Sequence, residues 1–394
     1  MKQQYPPGTQ ENYSSFSSRN PITEKSKELE FPEGAGGGKG YRGHEVASTL
    51  RREAPLREPG VPPKMKVILI GPGLSPIPPT GWGAVESLIW DYYENLVKLG
   101  IDTRIINNSD LGAVIRQCNS QHIDAIHIMY DDHVIIAPYL ICRNIIYTSH
   151  YAYITSPELT KKYKYYYQNI FMRAVENGKN IIIHALSDQI GEIYRKHGFT
   201  GAIKTLGNGA RDDLFRFTSE PKKAGRSVYV AKVEYRKAQY KYQSIDYIDF
   251  VGNYCDSPFF TNQPNYLGEW SKTTLYENLT EYANLILLSE GEADPLVVKE
   301  ALIAGLGVVV SECSSANLDR SKSFITVIPN ERINDLEYVR AKIEENRKAS
   351  VGARQEIRQY ALDNFAWSVI IKKYALLLGG TPGLAPHTLN GAKP

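Results

Sequence analysis

Residues 284–311 read NLILLSEGEADPLVVKEALIAGLGVVVS. An apolar run, Leu285–Leu288, leads into the polar loop Ser289–Asp294. A helical pattern follows over Pro295–Ala304, then a second apolar run over Gly307–Ser311. Short continuous apolar runs joined by a helix suit a parallel sheet covered on both faces, where each strand is buried on both sides. Pro295 suits the first helical position and Asp294 the N-cap, so Glu292 is expected in the loop and Glu300 inside the helix. The free amides near Leu296 and Val297 would then point into a cleft, with the positive end of the helix dipole behind them. That is a seat for a diphosphate with one carboxylate beside it and another further along. On spacing alone, an ordinary capped helix with surface glutamates accounts for the same residues.

The same alternation extends in both directions. Upstream, strands are expected at Val67–Ile70, Thr103–Ile106, Ala125–Met129, Asn144–Thr148, Asn180–His184 and Ala202–Thr205, with helical stretches such as Gly83–Leu99 and Pro157–Asn177 between them. After the polar stretch Ser219–Arg226 the pattern restarts. Strands are expected at Val228–Ala231, Tyr247–Val251, Leu285–Leu288, Gly307–Ser311 and Phe324–Ile328, with helices at Ser271–Tyr282, Pro295–Ala304 and Ile333–Glu345 and a final helix over Arg354–Leu378. Two successive α/β units imply a cleft between two sheets, with ligands at the carboxyl ends of the strands. The chain is expected to divide accordingly: 1–64 as a disordered, polar, Gly/Pro-rich leader, 65–220 and 221–353 as the two α/β domains, 354–378 as the final helix, and 379–394 as a disordered tail.

Composition narrows the class. The 394 residues carry 46 Lys+Arg against 43 Asp+Glu, a net charge of +3 that gives no argument for nucleic acid. No apolar run approaches the ~20 residues of a spanning helix, and Met1–Glu11 lacks the apolar segment of a secretory signal. Four widely spaced cysteines without a CxxC argue against a disulfide framework or a zinc ribbon, and a reducing, cytoplasmic location is the simpler reading. Many of the 27 tyrosines lie among lysines, as in Lys161–Tyr167 (KKYKYYY).

Two further elements carry chemistry. Gly71-Pro72-Gly73 begins like a dinucleotide fingerprint but lacks its third glycine, and Pro76 and Pro78-Pro79 lengthen the loop. Thr80-Gly81-Trp82-Gly83 then opens a helix, where glycines let backbone amides approach an anion; a flexible loop reads the same way. Lys232, at a strand end, and Arg236-Lys237 form a cationic group suited to a phosphate leaving group, or else a solvated basic loop.

In this order along the chain, these residues resemble a retaining glycosyltransferase of the GT-B fold, of the large group called family 4. The resemblance runs from about Met65 to Leu378 and is strongest from Val228 to Asp319. Glu292 and Glu300 match that group's E-x7-E motif, and Ala301–Ser311 the segment that follows it. Lys232 and Lys237 match its Arg/Lys pair, Gly81-Trp82-Gly83 its glycine loop, and His150 an active-site histidine. Asn208-Gly209, with Phe215 further on, matches the Asn-Gly turn leading to the interdomain region. The chain departs from the pattern in three places. Ala231-Lys232 replaces the usual Gly-Arg, which keeps the charge but loses the bidentate fork. Arg211 stands where an Asp is usual, and 232–268 is short by about one βα unit.

The resemblance implies two Rossmann-like domains facing across a cleft, with the C-terminal helix crossing back to the first. It implies a nucleoside-diphosphate sugar as donor substrate and no further cofactor. Glu300 would bind ribose; Lys232, Lys237, Gly83 and the Leu296 and Val297 amides would hold the diphosphate. Glu292 and His150 would be catalytic, Glu292 facing the sugar and His150 on the acceptor side, with His127 a competing histidine. No DxD metal site is present in the sequence, no metal is expected, and Asp131-Asp132 and Asp212-Asp213 read as solvated or capping pairs. The acceptor is a glycan, a lipid-linked molecule or another hydroxyl. Thr160–Tyr167 is a candidate surface for glycan or anionic lipid, or a plain solvated face, which leaves a peripheral membrane contact open. A GT-B phosphorylase using free phosphate, or a non-catalytic nucleotide- or glycan-binding protein, remain as alternative readings on the same fold.

Overall fold

The computed structural model describes residues 65–378 except Trp82 and Lys179. The expected leader, the expected tail and the tryptophan of the glycine loop lie outside the described residues. The first half contributes β1 (Lys66–Gly71), β2 (Asp102–Asn107), β3 (Ala125–Ile128), β4 (Ile145–Tyr147), β5 (Ile182–Ala185) and β6 (Ile203–Thr205). They form one parallel sheet in the order β2-β1-β3-β4-β5-β6. The second half contributes β7 (Lys223–Val230), β8 (Val233–Glu234), β9 (Ile248–Val251), β10 (Tyr254–Asp256), β11 (Tyr282–Leu287), β12 (Gly307–Ser311) and β13 (Ile325–Ile328). Five of these make a second parallel sheet in the order β13-β12-β11-β7-β9, and β8 pairs with β10.

Burial on both faces explains the continuous apolar runs. In β1, Ile68 and Ile70 enter the core shared with Val114, Phe171 and Tyr194, whereas Val67 and Leu69 enter the opposite core with Leu88, Tyr92 and Tyr374. Alternate residues thus feed opposite helical layers. The second sheet packs with the helices Leu296–Ile303, Leu336–Gly352 and Arg354–Phe365. Between β7 and β9 the chain makes the two-residue β8 and two short 3-10 turns, Tyr235–Lys237 and Gln239–Lys241, where an α-helix would complete a full βα unit.

Two expected helices are divided. The stretch expected over Arg354–Leu378 is two helices, Arg354–Phe365 and Trp367–Leu377, separated by Ala366 in an extended conformation (ψ 140°). The break is set by tertiary pairing. The Ala210 amide donates to Phe365 O (2.8 Å), and the Trp367 amide donates to Ala210 O (3.2 Å). Before the break, Ile357, Ala361 and Phe365 pack in the second half; after it, Trp367, Ile370 and Tyr374 pack in the first. The final helix therefore does cross back. The stretch expected over Pro157–Asn177 is interrupted at Tyr163 and contains a π turn, Tyr167–Phe171. The wider turn lets Tyr166, Ile170 and Phe171 all face inward.

A buried polar chain ties the last helix to the first sheet. His184 Nε2 donates to Leu206 O (2.8 Å) and Thr148 Oγ1 donates to His184 Nδ1 (2.9 Å). His127 Nε2 then donates to Thr148 (2.8 Å), and the Tyr374 hydroxyl donates to His127 Nδ1 (2.6 Å). Burial pushes His127 well below the usual histidine range and His184 to about 4, so both rings are neutral. His127, the competing histidine, has both ring nitrogens satisfied inside the core and none left for a ligand.

Candidate active site

Glu292 sits in the loop between β11 and the helix Leu296–Ile303, at the carboxyl end of the second sheet. Its carboxylate pairs with the Lys237 ammonium and lies 3.6 Å from Arg236 Nη1. Burial alone would raise its pKa, but Lys237 and then Arg236 outweigh that and hold it below the ordinary carboxylate range. Arg236 also fixes the loop: Nη1 donates to Gly291 O (2.6 Å), Nη2 to Glu234 (2.6 Å), and its carbonyl accepts from the Glu290 amide (2.8 Å). Lys232 is more exposed, with its ammonium 3.9 Å from Glu234. The cationic group of the sequence is thus shared between two carboxylates, Glu292 holding Lys237 and Arg236, and Glu234 holding Arg236 and Lys232.

His150 follows β4 in the first half. Its amide lies 3.4 Å from Asp131 Oδ2, and its buried Nε2 has no hydrogen-bond partner. Burial, reinforced by His184, lowers its pKa to about 4, so the ring is neutral. Asp131 corrects the sequence reading, because it is not a solvated loop residue. It is buried and accepts from Ser149 Oγ (2.5 Å) and Tyr147 OH (3.1 Å), while Ser149 also meets Tyr166 OH (2.6 Å). Burial raises its pKa to about 6 against those two hydrogen bonds. Asp131 organises the turn that carries His150. Asp213 of the other pair is held by Arg211 (2.8 Å), whose guanidinium also reaches Asp91 (2.9 Å) and Glu94 (2.6 Å).

Glu300 and the glycine turn form a second group. Gly83 caps the helix Ala84–Lys98, and its carbonyl accepts from Ser87 Oγ (2.6 Å). Lys272, from the other half, donates to the same Ser87 hydroxyl (2.5 Å). Burial raises Glu300 to about 7; Asp91 adds to the rise and Lys272 opposes it. Asp91 itself is raised to about 6 by burial, against Arg211. The space above Gly83 is partly taken by Glu86, whose Oε2 lies 2.9 Å from where a Gly83 Cβ would be.

The helix carrying Glu300 starts one residue later than expected. Pro295 is the N-cap, with no side-chain cap, and Leu296 is the first helical residue. The Asp294 carboxylate is used elsewhere, because it is buried against the turn at 207–209. It accepts from the Asn208 amide (2.6 Å) and Asn317 Nδ2 (3.1 Å), and pairs with the buried Lys299 ammonium. Leu296 packs against the core of the first half and Val297 against that of the second, so the helix start stands where the halves meet. Gly209 lets the Trp367 ring approach to within 2.7 Å of where a Cβ would stand, which accounts for glycine in the Asn-Gly turn.

Sequence reasoning missed Asp91 and Lys272. Asp91 acts on Glu300 and Lys272 donates to Ser87, each across the two halves, and no local spacing signals them. Among the described residues no group of three or more His, Cys, Asp or Glu is arranged to hold a metal ion, and no helix is long and apolar enough to cross a membrane. The cysteines 118, 142, 255 and 313 are free. A shallow depression of about 570 Å³ beside Asn317, Lys322 and Tyr360 lies outside this cleft.

No family model matches the sequence, and no curated protein matches it. The fold does have solved counterparts. Sucrose-phosphate synthase from Thermosynechococcus elongatus matches with a TM-score of 0.62 at 13% identity, over 80% of this chain and 98% of that one. HepE from Anabaena, crystallised with UDP and glucose, matches at 0.59 and 14% identity, over 80% and 99%. AviGT4, a glycosyltransferase of avilamycin A biosynthesis, matches at 0.55 and 14% identity, again over 80% and 99%. At such identities the likeness speaks for architecture: the chain has the GT-B fold, two Rossmann-like sheets facing each other across a cleft.

Proposed function

We propose that the protein is a metal-independent, retaining glycosyltransferase of the family 4 type that moves a sugar from a nucleoside-diphosphate sugar to a hydroxyl acceptor. The observation that carries this reading is the pairing of Glu292 with Lys237 and Arg236 at the carboxyl end of the second sheet, together with a neutral His150 in the first half whose buried Nε2 has no hydrogen-bond partner. The first half would receive a glycan, a lipid-linked molecule or another hydroxyl, and the second half the donor. UDP is the first nucleotide to try, because HepE was crystallised with UDP and with UDP-glucose.

In this reading Lys232, Lys237 and the amides of Leu296 and Val297 neutralise the diphosphate. A lysine ammonium has three donors, so Lys237 can serve the phosphate and Glu292 together. Glu86 swings away from Gly83 as the phosphate arrives. When the anomeric carbon–oxygen bond breaks, its electron pair leaves on the diphosphate, where the cations stabilise it. The ionised Glu292 supports the positive charge left near the anomeric carbon. The separation of two carboxylates typical of retaining hydrolases is not the basis of the mechanism here, and Glu292 acts as an electrostatic and hydrogen-bonding group rather than a covalent nucleophile. Glu300 accepts from the ribose hydroxyls.

Thermal unfolding with UDP, GDP, ADP and TDP tests the donor class. A nucleotide present at ~100 times its Kd should stabilise the protein by about 2.7 kcal/mol. A panel without any shift sinks the transferase reading. A nucleotide that binds while sugar transfer requires inorganic phosphate would favour the phosphorylase instead.

A further inference from the structure

Across the cleft mouth, an aromatic ring of the first half lies against a glycine of the second. Tyr153 stands three residues beyond His150, and Gly291 immediately precedes Glu292. A Cβ on Gly291 would stand 2.6 Å from Tyr153 Cε2 and 3.1 Å from Cδ2. Real Cβ atoms do not approach a ring that closely, so the contact needs glycine. The backbone does not: Gly291 is not among the glycines with positive φ. The empty side chain at 291 is therefore explained by the ring and not by the turn.

Both partners are braced from behind. Gly291 O accepts from Arg236, whose own carbonyl holds the Glu290 amide. On the other side Ala152 and Ile154 are buried, and the Ile154 amide donates to Tyr151 O (2.8 Å). The Tyr153 hydroxyl lies in the combined field of Arg236 and Glu292; burial pushes its pKa well up, with Arg236 opposing, so it stays protonated. A neutral, flat, braced ring over the residue next to Glu292 is suited to excluding water from that carboxylate.

We propose that Tyr153 is a positioning residue that seats on Gly291 to close the first half onto the Glu292 loop and keep water off it. The inference rests on the transferase reading, since it gives the closed cleft a purpose, but its test does not depend on a donor. Hydrogen–deuterium exchange on the full-length, ligand-free protein reads water access at residues 149–155 and 289–293. Gly291→Ala should speed exchange in both segments by about tenfold or more, as expected for local opening. Tyr153→Phe keeps the ring and should exchange as wild type. Tyr153→Ala should also open both segments, and adding Gly291→Ala to it should bring no further increase, because the clashing ring is already gone.

Unchanged exchange in Gly291→Ala, or effects that add in the double variant, overturns the proposal. Slow exchange retained in β1 and β11 verifies that each variant is folded. Should Gly291→Ala fail to fold, Tyr153→Ala decides: acceleration in both segments supports the contact, and none overturns it. If wild-type protein binds no nucleotide while this pattern holds, the transferase reading fails and the closing contact stands.

Discussion

Glu292 and Glu300 are neighbours in one loop-helix segment, yet their surroundings treat them in opposite ways. Glu292 is half-buried beside two cations, which override desolvation and keep it ionised. Glu300 is half-buried in the field of another carboxylate, Asp91, with Lys272 only partly compensating, and desolvation raises its pKa to about 7. The difference teaches that spacing in sequence identifies a pair of carboxylates without fixing their charge. A group meant to meet developing positive charge has to be ionised in advance. A group that accepts from ribose hydroxyls can acquire its charge as the ligand replaces lost water.

The sharpest way to break the comparison is Glu292→Gln. It keeps the shape and removes the charge, so UDP should bind nearly as before while sugar transfer falls by ~10²-fold or more. Calorimetry with UDP beside a transfer assay reads both. Wild-type turnover would reduce Glu292 to a loop residue. Glu300→Ala should do the reverse, weakening UDP by roughly ten- to a hundredfold, as for lost hydrogen bonds to a charged acceptor at ~1.5–3 kcal/mol. If UDP affinity is unmoved, the ribose assignment is wrong.

In the pH dependence of stability the two residues should carry opposite signs. A raised folded pKa means the native state holds a proton that the unfolded chain has released. Glu300 therefore makes stability fall as pH rises from about 4.5 to about 7, by at most about 3 kcal/mol. Glu292, with a lowered folded pKa, adds stability above about 4.5 that is lost as pH falls below it. Urea unfolding across pH 3–8 should show Glu300→Gln flattening the upper slope and Glu292→Gln the acid one. Equal effects of both variants on the same slope would contradict the electrostatic contrast.

The sheets were legible because each central strand is a run of β-branched and aliphatic residues, as in Val67–Ile70 and Gly307–Ser311. The two-residue β8 and three-residue β10 are too short to leave such a signature. The break at Ala366 was hidden because apolar spacing continues through Phe365 and Trp367, while its cause, Ala210, is remote in sequence. At the site, spacing left Glu292 and Lys237 open to a capped helix and a solvated basic loop, and only the order of the motifs along the chain singled them out. Asp131 was misread because Ser149 and Tyr147 come to it from another segment, with Tyr166 bonded in turn to Ser149. Tyr153 was invisible because its partner is a missing side chain.

The pairing of Ala210 with Ala366 also has a mechanical meaning. The chain passes between the halves at both residues, and there the two passages are hydrogen-bonded to each other. Two separate tethers would leave the halves free to shear or to slide. Strands stitched together at one point behave as the spine of a book, which permits rotation about a narrow axis and resists translation. In such a lever, displacement grows with distance from the spine, so slight twisting at two alanines is magnified at the far edge of the pages.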